Sequence, residues 1–287
     1  MIISASYKTD IPAFYGEWFR NRMKAGFCEV VNPYGGKTFR VPLDRENAEA
    51  FVFWTRDASP FLGTLAGLKE EGFPFVVQYT LTGYPGGLDG TVPAPERGVT
   101  TMKALAKAYG PRAVVWRYDP LILSNLTPVV FHLKNFRGLC RQLKGSVDEV
   151  VVSFVQPYQK TVRNLGKIGG GFGWGDPVVE EKRGLLVKMA KIAAGAGMGL
   201  SLCAQRGLMV KGARDGSCVD LARLSELAGL PVGKPGRGHR INCGCAPSKD
   251  IGAYDTCPFG CAYCYASRSR EYALKRLENH DPAAETL

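Results

Sequence analysis

Three cysteines near the carboxyl end of the chain have a spacing that suits an iron–sulfur cluster. Cys257, Cys261 and Cys264 form a C-x3-C-x2-C pattern. Three thiolates on one loop can bind three irons of a [4Fe-4S] cluster, and this pattern offers no local ligand for the fourth iron. A zinc site needs four ligands, usually from two C-x2-C pairs. The spacing therefore predicts a [4Fe-4S] cluster with one open iron, and a zinc site is the alternative.

This segment resembles the cluster loop of radical S-adenosylmethionine enzymes. Tyr263 stands directly before the last cysteine, where those enzymes stack an aromatic ring on adenine. The resemblance implies that the open iron binds the amino and carboxylate groups of S-adenosylmethionine. One electron from the cluster would cleave that ligand, and the resulting 5′-deoxyadenosyl radical would abstract hydrogen from a substrate. Such an enzyme also needs a reductant such as flavodoxin or ferredoxin.

The position of the loop differs from its position in radical S-adenosylmethionine enzymes. Those enzymes carry the loop after the first barrel strand, whereas here most of the chain precedes Cys257. Either the barrel is circularly permuted, with residues 251–256 as the strand before the loop, or the cluster caps a separate barrel. The sequence leaves both arrangements open.

Four further cysteines in the last third of the chain form a second candidate set of metal ligands: Cys203, Cys218, Cys243 and Cys245. Four thiolates could hold a second iron–sulfur cluster or a structural zinc ion. Alternatively, Cys243 or Cys245 completes the first cluster, which would then be closed to S-adenosylmethionine and would serve structure or electron transfer. The remaining cysteines, Cys28 and Cys140, are isolated among apolar residues and are predicted to lie in the core.

Polar residues recur where the predicted strands end. Arg117 and Asp119 alternate in one such segment, and Asp10 and Tyr84 follow two others. An arginine can bind a carboxylate or a phosphate through two hydrogen bonds, while an aspartate orients a hydroxyl or an amine. These four residues are therefore predicted to position the substrate or S-adenosylmethionine. The alternative for Arg117 and Asp119 is a buried structural ion pair.

The elements that must position these residues alternate along the first two-thirds of the chain. Apolar runs predict strands at residues 1–6, 27–33, 50–55, 73–81, 113–120, 148–156 and 198–205. Amphipathic patterns predict helices at 12–25, 61–71, 96–109, 128–143 and 178–194. Apolar strands that alternate with helices are typical of a parallel sheet. The pattern favours an α/β fold of the (β/α)8 TIM-barrel type, complete, partial or circularly permuted, over a doubly wound sheet, because no G-x-G-x-x-G follows the first strand.

The chain is predicted to have two parts. Residues 1–205 are interpreted as the α/β barrel-like domain, and residues 206–287 as a cysteine-rich metal-cluster segment packed on the barrel. Glycine-rich loops at 83–95 and 164–177 lie where a barrel keeps its binding loops.

Composition limits the classes of protein that remain. Hydrophobic residues make up 45% of the 287 residues and charged residues 22%, which is typical of a globular protein. No apolar run is long enough for a membrane span, and the first residues do not resemble a secretory signal, so we expect a cytoplasmic protein. The net charge is +11, and residues 205–276 hold twelve Lys and Arg against six Asp and Glu. This excess favours a nucleotide-like or other anionic small-molecule ligand, or nucleic acid, although a solvated basic surface explains it equally well.

Motifs along nearly the whole chain resemble those of a bacterial family catalogued as domain of unknown function eighteen forty-eight. They lie at residues 3–19, 51–57, 81–85, 116–123, 216–220 and 248–266. The resemblance implies that the cysteine-rich tail belongs to the domain.

The leading hypothesis from the sequence is an enzyme of the radical S-adenosylmethionine type that acts on a substrate in the barrel mouth. One alternative is a nucleic-acid-binding or nucleotide-binding protein with a structural [4Fe-4S] cluster. Another is a redox or metal-handling module that uses the seven clustered thiols.

Overall fold

The computed structural model describes residues 1–85, 87–236 and 243–287. Its strands are β1 (Ile2–Ala5), β2 (Phe27–Val31), β3 (Thr38–Pro42), β4 (Ala50–Thr55), β5 (Phe75–Thr80), β6 (Val114–Arg117), β7 (Leu123–Ser124), β8 (Glu149–Val152), β9 (Trp174–Gly175), β10 (Gly199–Cys203), β11 (Ala213–Gly216) and β12 (Lys249–Asp250). Its α-helices are α1 (Ile11–Phe14), α2 (Gly16–Ala25), α3 (Leu62–Glu70), α4 (Pro95–Tyr109), α5 (Val129–Leu143), α6 (Gln159–Leu165), α7 (Val179–Gly195), α8 (Leu221–Ala228) and α9 (Arg270–Glu278).

Eight of the strands form one parallel sheet in the order β11-β10-β8-β6-β5-β4-β1-β12. Every hydrogen-bonded neighbour in this sheet runs parallel. Apart from β12, the strands follow one another across the sheet in chain order. The last strand of the chain, β12, returns to pair with the first, β1, through Ile3 with Lys249 and Ser4 with Asp250. The fold is therefore α/β, built on a large parallel sheet.

Both faces of the sheet are buried, which explains why its strands are apolar nearly throughout. One face packs with the helices in the main core, to which Phe53, Val77 and Trp116 belong. The opposite face, called the inner face below, carries Val52, Val76, Val115 and Val151.

Helix α8 and the segments that flank it cover the inner face. Leu224 of α8 is fully buried there with Val232 and Ala246. The helix is well delimited by its sequence, since Asp220 accepts hydrogen bonds from Ala222 and Arg223 at its start and Gly229 ends it in the left-handed conformation. Arg223 fixes the helix to the sheet by ion pairs with Asp148 and Glu149.

Several predicted elements differ in the structure. The strand expected at 27–33 is β2, which pairs antiparallel with β3 in a two-stranded sheet and lies outside the parallel sheet. Its alternating exposure explains the difference, because a strand buried on one face only suits a hairpin better than a parallel sheet. Helices α6, α8 and α9 were not predicted. The strand expected at 251–256 lies earlier, at β12, and 251–256 form a loop.

The predicted boundary after residue 205 stays a prediction. Strands β11 and β12 come from the segment beyond that boundary, and both hydrogen-bond into the parallel sheet that also contains β1, β4, β5, β6, β8 and β10. Within the described ranges, no helix combines the length and the hydropathy needed to cross a membrane.

Candidate functional site

The cysteine loop that follows β12 lies at the carboxyl-end edge of the sheet. Cys257, Cys261 and Cys264 are partly buried on this loop, and the Cys264 N–H donates to the Cys261 carbonyl at 3.0 Å. The thiols receive backbone donors, since Ala266 N–H donates to Cys264 Sγ at 3.3 Å and Phe259 N–H donates to the Cys257 thiol. Burial raises the pKa of Cys261 to about 12 and the pKa of Cys257 well above its usual value, and the two other thiols of the loop raise the latter further. The three cysteines are thus close enough to influence one another's ionisation.

A buried arginine connects this loop to the sheet. Arg56, directly after β4, lies 3.5 Å from Cys261 Sγ through Nη1 and forms a 3.0 Å ion pair with Asp89 through Nη2. Tyr263 donates its hydroxyl to Asp89 Oδ1 at 2.5 Å and also contacts Arg56. Thr82 donates to the same carboxylate at 2.8 Å. The four side chains form a polar group, called the Arg56 group below, that fixes the cysteine loop over the ends of β4 and β5.

The predicted adenine-stacking residue, Tyr263, belongs to this group. Its exposure is only 9%, and its ring packs edge-on against Tyr84 and within 5.7 Å of the Arg56 guanidinium. The structure therefore places Tyr263 as an anchor of the loop, and its role towards S-adenosylmethionine stays a prediction.

The loop between β5 and α4 supports the cysteine loop from the other side. Thr91 N–H donates to the Phe259 carbonyl at 2.8 Å, and Ala262 N–H donates to the Leu88 carbonyl at 2.9 Å. Gly90, at φ +63, allows the two backbones to approach, because a Cβ there would lie 2.2 Å from the Phe259 oxygen. The cysteine loop is thus packed between the sheet and this glycine-rich loop.

Asp10 and Tyr84, both predicted to position a ligand, form hydrogen bonds within the protein near the ends of the strands. Asp10 accepts hydrogen bonds from Ala13 N–H at the start of α1 and from Arg56 N–H. Burial raises the pKa of Asp10 to about 7. Tyr84 is buried and donates its hydroxyl to the Pro120 carbonyl at 2.6 Å. Both residues therefore help to shape the ends of the strands, and a role towards a substrate stays a prediction.

The other four clustered cysteines meet on the inner face, in a different place from the cysteine loop. Cys203 ends β10, Cys218 follows β11, and Cys243 and Cys245 lie just before β12. The Cys203 and Cys218 sulfurs are 3.7 Å apart, and Cys218 N–H donates to Cys245 Sγ at 3.1 Å. The Cys243 and Cys245 thiols shift each other's pKa, which places Cys243 beside Cys245. The four side chains form a continuous row, called the thiol row below.

The thiol row spans a range of acidities. Contact with the Cys245 thiol lowers the pKa of Cys243, at the outer end, to about 7. Contact with the Cys218 thiol, together with burial, raises the pKa of Cys203, at the inner end, well above its usual value. The row therefore leads from an easily ionised thiol, Cys243, to one whose pKa is raised, Cys203.

Arg117 lies against the middle of this row. Its Nη1 donates to Cys218 Sγ at 2.8 Å, and its Nη2 forms an ion pair with Asp119, which in turn accepts from the Ser153 hydroxyl. The guanidinium also lies 5.1 Å from the Trp54 ring. Arg117 is only 6% exposed. The structure thus brings Arg117 into contact with one of the four further cysteines, a contact that the sequence did not predict.

No arrangement of side chains among the described residues is already a metal site. Within residues 1–85, 87–236 and 243–287, no three His, Cys, Asp or Glu side chains form a group that could hold a metal ion. The metal-ligand assignments of the seven cysteines therefore stay predictions. The structure does show that they form two separate groups, one of three and one of four.

Three members of the Arg56 group, Arg56, Thr82 and Asp89, were not among the site residues predicted from the sequence. Arg56 stands at a strand end, which is the signal by which it could have been chosen. Asp89 is the one acidic residue of the glycine-rich loop at 83–95, and nothing in its neighbours indicates that it faces Tyr263, 174 residues further on.

Comparison with protein families assigns the chain to one of them. The profile of the family described as "Domain of unknown function (DUF1848)" matches residues 2–266. The chain belongs to this family. The match runs from β1 to just beyond Cys264, which confirms the family resemblance inferred from the motifs. Comparisons with curated proteins and with solved structures gave no match.

Proposed function

We propose that this protein is an enzyme of the radical S-adenosylmethionine type, with a [4Fe-4S] cluster bound by Cys257, Cys261 and Cys264. The observation that carries the proposal is the position of the cysteine loop in the sheet. The loop directly follows β12, and β12 pairs in parallel with β1. Starting at β12, the strands cross the sheet as β12, β1, β4, β5, β6, β8, β10 and β11. The loop then follows the first strand, as in radical S-adenosylmethionine enzymes, so the proposed fold is a circularly permuted barrel.

The side chains around the loop fit such a cluster. Cys257, Cys261 and Cys264 come from one loop and influence one another's ionisation, and [4Fe-4S] clusters take their thiolate ligands from loops of this kind. Backbone N–H groups already point at the Cys257 and Cys264 sulfurs, which is how proteins stabilise cluster-bound thiolates. Arg56 places a buried positive charge beside Cys261. Donors and charge therefore match an anionic iron–sulfur cluster.

When bound, the cluster would supply one electron for the cleavage of S-adenosylmethionine. The chain's own residues would hold the loop in place and tune its charge. Asp89 keeps Arg56 oriented towards Cys261, and Tyr263 ties both to the loop. Hydrogen bonds to the sulfurs and nearby charge set the reduction potential of such clusters. The substrate, an anionic small molecule, and the reductant remain part of the proposal.

The test is anaerobic purification of the full chain with iron and sulfide. We expect about four irons and matching acid-labile sulfide per cluster. We also expect the reduced cluster's paramagnetic resonance spectrum to change on addition of S-adenosylmethionine, and 5′-deoxyadenosine to form. Cys261→Ser should lose most of this iron, whereas Cys140→Ser, a change at a buried core thiol, should keep it.

Zinc without sulfide in the wild-type protein would contradict the proposal. A cluster that binds normally but neither responds to S-adenosylmethionine nor cleaves it would contradict the enzyme and favour a structural cluster.

A further inference from the structure

We propose that the thiol row, Cys203, Cys218, Cys243 and Cys245, binds a second metal: a single thiophilic divalent ion, zinc or iron, held by four thiolates on the inner face of the sheet. This site is separate from the cysteine loop and does not depend on the function proposed for that loop. It would join three segments of the last third of the chain.

The first argument is convergence. The four thiols come from the end of β10, the turn after β11 and the segment before β12, yet hydrogen bonds join Cys203 to Cys218 and Cys218 to Cys245, and one residue separates Cys245 from Cys243. Cysteines in a tetrahedral zinc site bind at about 2.3 Å, so their sulfurs stand about 3.8 Å apart. The Cys203 and Cys218 sulfurs are 3.7 Å apart. One edge of the required tetrahedron is therefore already present.

The second argument is the close approach of the backbones that carry these cysteines. Gly216 precedes Cys218 by two residues, and a Cβ there would lie 3.0 Å from the Leu202 carbonyl oxygen. Gly244 separates Cys243 from Cys245, and a Cβ there would lie 3.3 Å from the Gly216 oxygen. Glycine at both positions lets the three segments pack closely enough to bring four thiols together.

The third argument is charge. Four thiolates around a divalent ion carry a net charge of −2, which is costly to bury without compensation. Arg117 supplies a buried positive charge at 2.8 Å from Cys218 Sγ. Cys218 N–H also donates to Cys245 Sγ. Both donors favour the thiolate form, and the thiolate is the form that binds metal.

The row is open as it stands, because no three of its sulfurs surround a common point in the described part of the chain. Binding would close it by rotation of the Cys243 and Cys245 side chains towards Cys203. Cys243 is partly exposed, which gives an ion a way in.

The test uses the full chain with Cys257→Ser and Cys261→Ser, so that the cysteine loop cannot contribute, and cobalt(II) as the probe. We expect one cobalt per chain, with the intense thiolate-to-cobalt absorption of a tetrahedral four-thiolate site. Added zinc should displace the cobalt and abolish the absorption. Cys218→Ser or Cys243→Ser should lose most of this absorption, and Cys28→Ser, a change at an isolated core thiol, should retain it.

The wild-type protein provides a second measurement that does not depend on these variants. Purified anaerobically, it should contain one zinc or iron per chain in addition to the iron of any cluster. A Cys203–Cys218 disulfide in that protein, absence of cobalt absorption, or absorption that survives Cys218→Ser would overturn the proposal. So would four irons with sulfide at this row, which would mean a second cluster and not a single ion. Failure of the radical enzyme proposal would show instead at the cysteine loop alone, as the absence of iron and sulfide there or as a cluster that does not respond to S-adenosylmethionine.

Discussion

Arg117 is the residue whose surroundings differ most from what its sequence suggests. The motif around it predicts an arginine that positions a substrate or S-adenosylmethionine, with a buried ion pair between Arg117 and Asp119 as the alternative. In the structure its guanidinium is shared between Asp119 and Cys218, and Trp54 covers one side. Burial lowers the pKa of Arg117, but the neighbouring Cys218 and Asp119 raise it well above its usual value, so the side chain stays charged. Its first role is therefore to balance buried negative charge.

Removal of this charge should destabilise the protein. Arg117→Ala leaves Asp119 largely buried without its partner, and such a loss costs about 3–5 kcal/mol. We expect a correspondingly lower free energy of unfolding in urea denaturation. Arg117→Met combined with Asp119→Asn should recover part of the loss, because no unpaired charge remains. If Arg117→Ala is as stable as the wild type, the ion pair between Arg117 and Asp119 is not structural. That result would support the hypothesis that Arg117 binds a ligand.

Among the elements, the loop between β5 and α4 has the most direct influence on the cysteine loop. The two loops share backbone hydrogen bonds through Thr91 and Leu88, and Gly90 lies at their closest approach. The fold positions the cysteines through this contact as well as through the Arg56 group.

Gly90→Ala should loosen the cysteine loop without unfolding the sheet. Its Cβ would meet the Phe259 oxygen at 2.2 Å and the Gly260 backbone at 2.7 Å, so the loop must move. We expect faster alkylation of Cys261 and several-fold less iron after reconstitution, with an unchanged circular dichroism spectrum.

Gly87→Ala is the matched control. Gly87 also has a positive φ, +93, but its Cβ would meet only the Ile168 side chain, at 3.5 Å. It introduces similar backbone strain in the same loop, but its Cβ would not contact the cysteine loop. Equal alkylation rates for the two variants would mean that backbone strain, and not contact with the cysteine loop, causes the effect.

The elements that the sequence predicted well are those whose apolar pattern is long. Strand β5 and helix α5 were recognisable for this reason. Strand β11, Ala-Arg-Asp-Gly, has no apolar pattern and forms because β10 offers it a free edge to pair with. Strand β12 has only two residues, too few for a period. Helix α8 could have been found from Asp220 and Gly229, which mark its two ends.

The candidate site divides in the same way. The C-x3-C-x2-C spacing involves residues close together in the chain, so it could be recognised in the sequence. The contact of Arg117 with Cys218 and that of Tyr263 with Asp89 join residues more than a hundred positions apart, and only the strand order brings them together. Pairings of this kind cannot be derived from a single sequence without the topology.

For the molecule as a whole, the burial of His132 links stability to pH. His132 is fully buried, with Nε2 2.9 Å from the Ile122 carbonyl and Nδ1 3.2 Å from the Tyr118 hydroxyl. Burial lowers the pKa of His132 from 6.5 to about 4. The folded state resists protonation of His132. The contribution of this residue to the free energy of unfolding is therefore present above pH 6.5 and is lost as the pH falls from there towards 4.

We therefore expect the free energy of unfolding to fall by about 2 kcal/mol between pH 7 and pH 5 through this group alone. Urea denaturation at the two pH values measures the change. His132→Gln should be less stable at pH 7, but its loss between pH 7 and pH 5 should be smaller by that amount. Burial also lowers the pKa of His280. The variant His280→Gln measures how much His280 contributes to the pH dependence of the free energy of unfolding. An unchanged pH dependence in His132→Gln would show that His132 does not control it.

The return of β12 to the side of β1 also sets an order of events in time. The ribosome makes the chain from its amino end, so β12 and the cysteine loop are the last parts of the sheet to be synthesised. Until they emerge, β1 is an edge strand with unpaired backbone groups. The other seven strands can thus pair before Cys257, Cys261 and Cys264 exist. The pairing of those seven strands therefore does not require the cysteine loop, and any ligand of that loop can bind only after nearly the whole sheet has been synthesised.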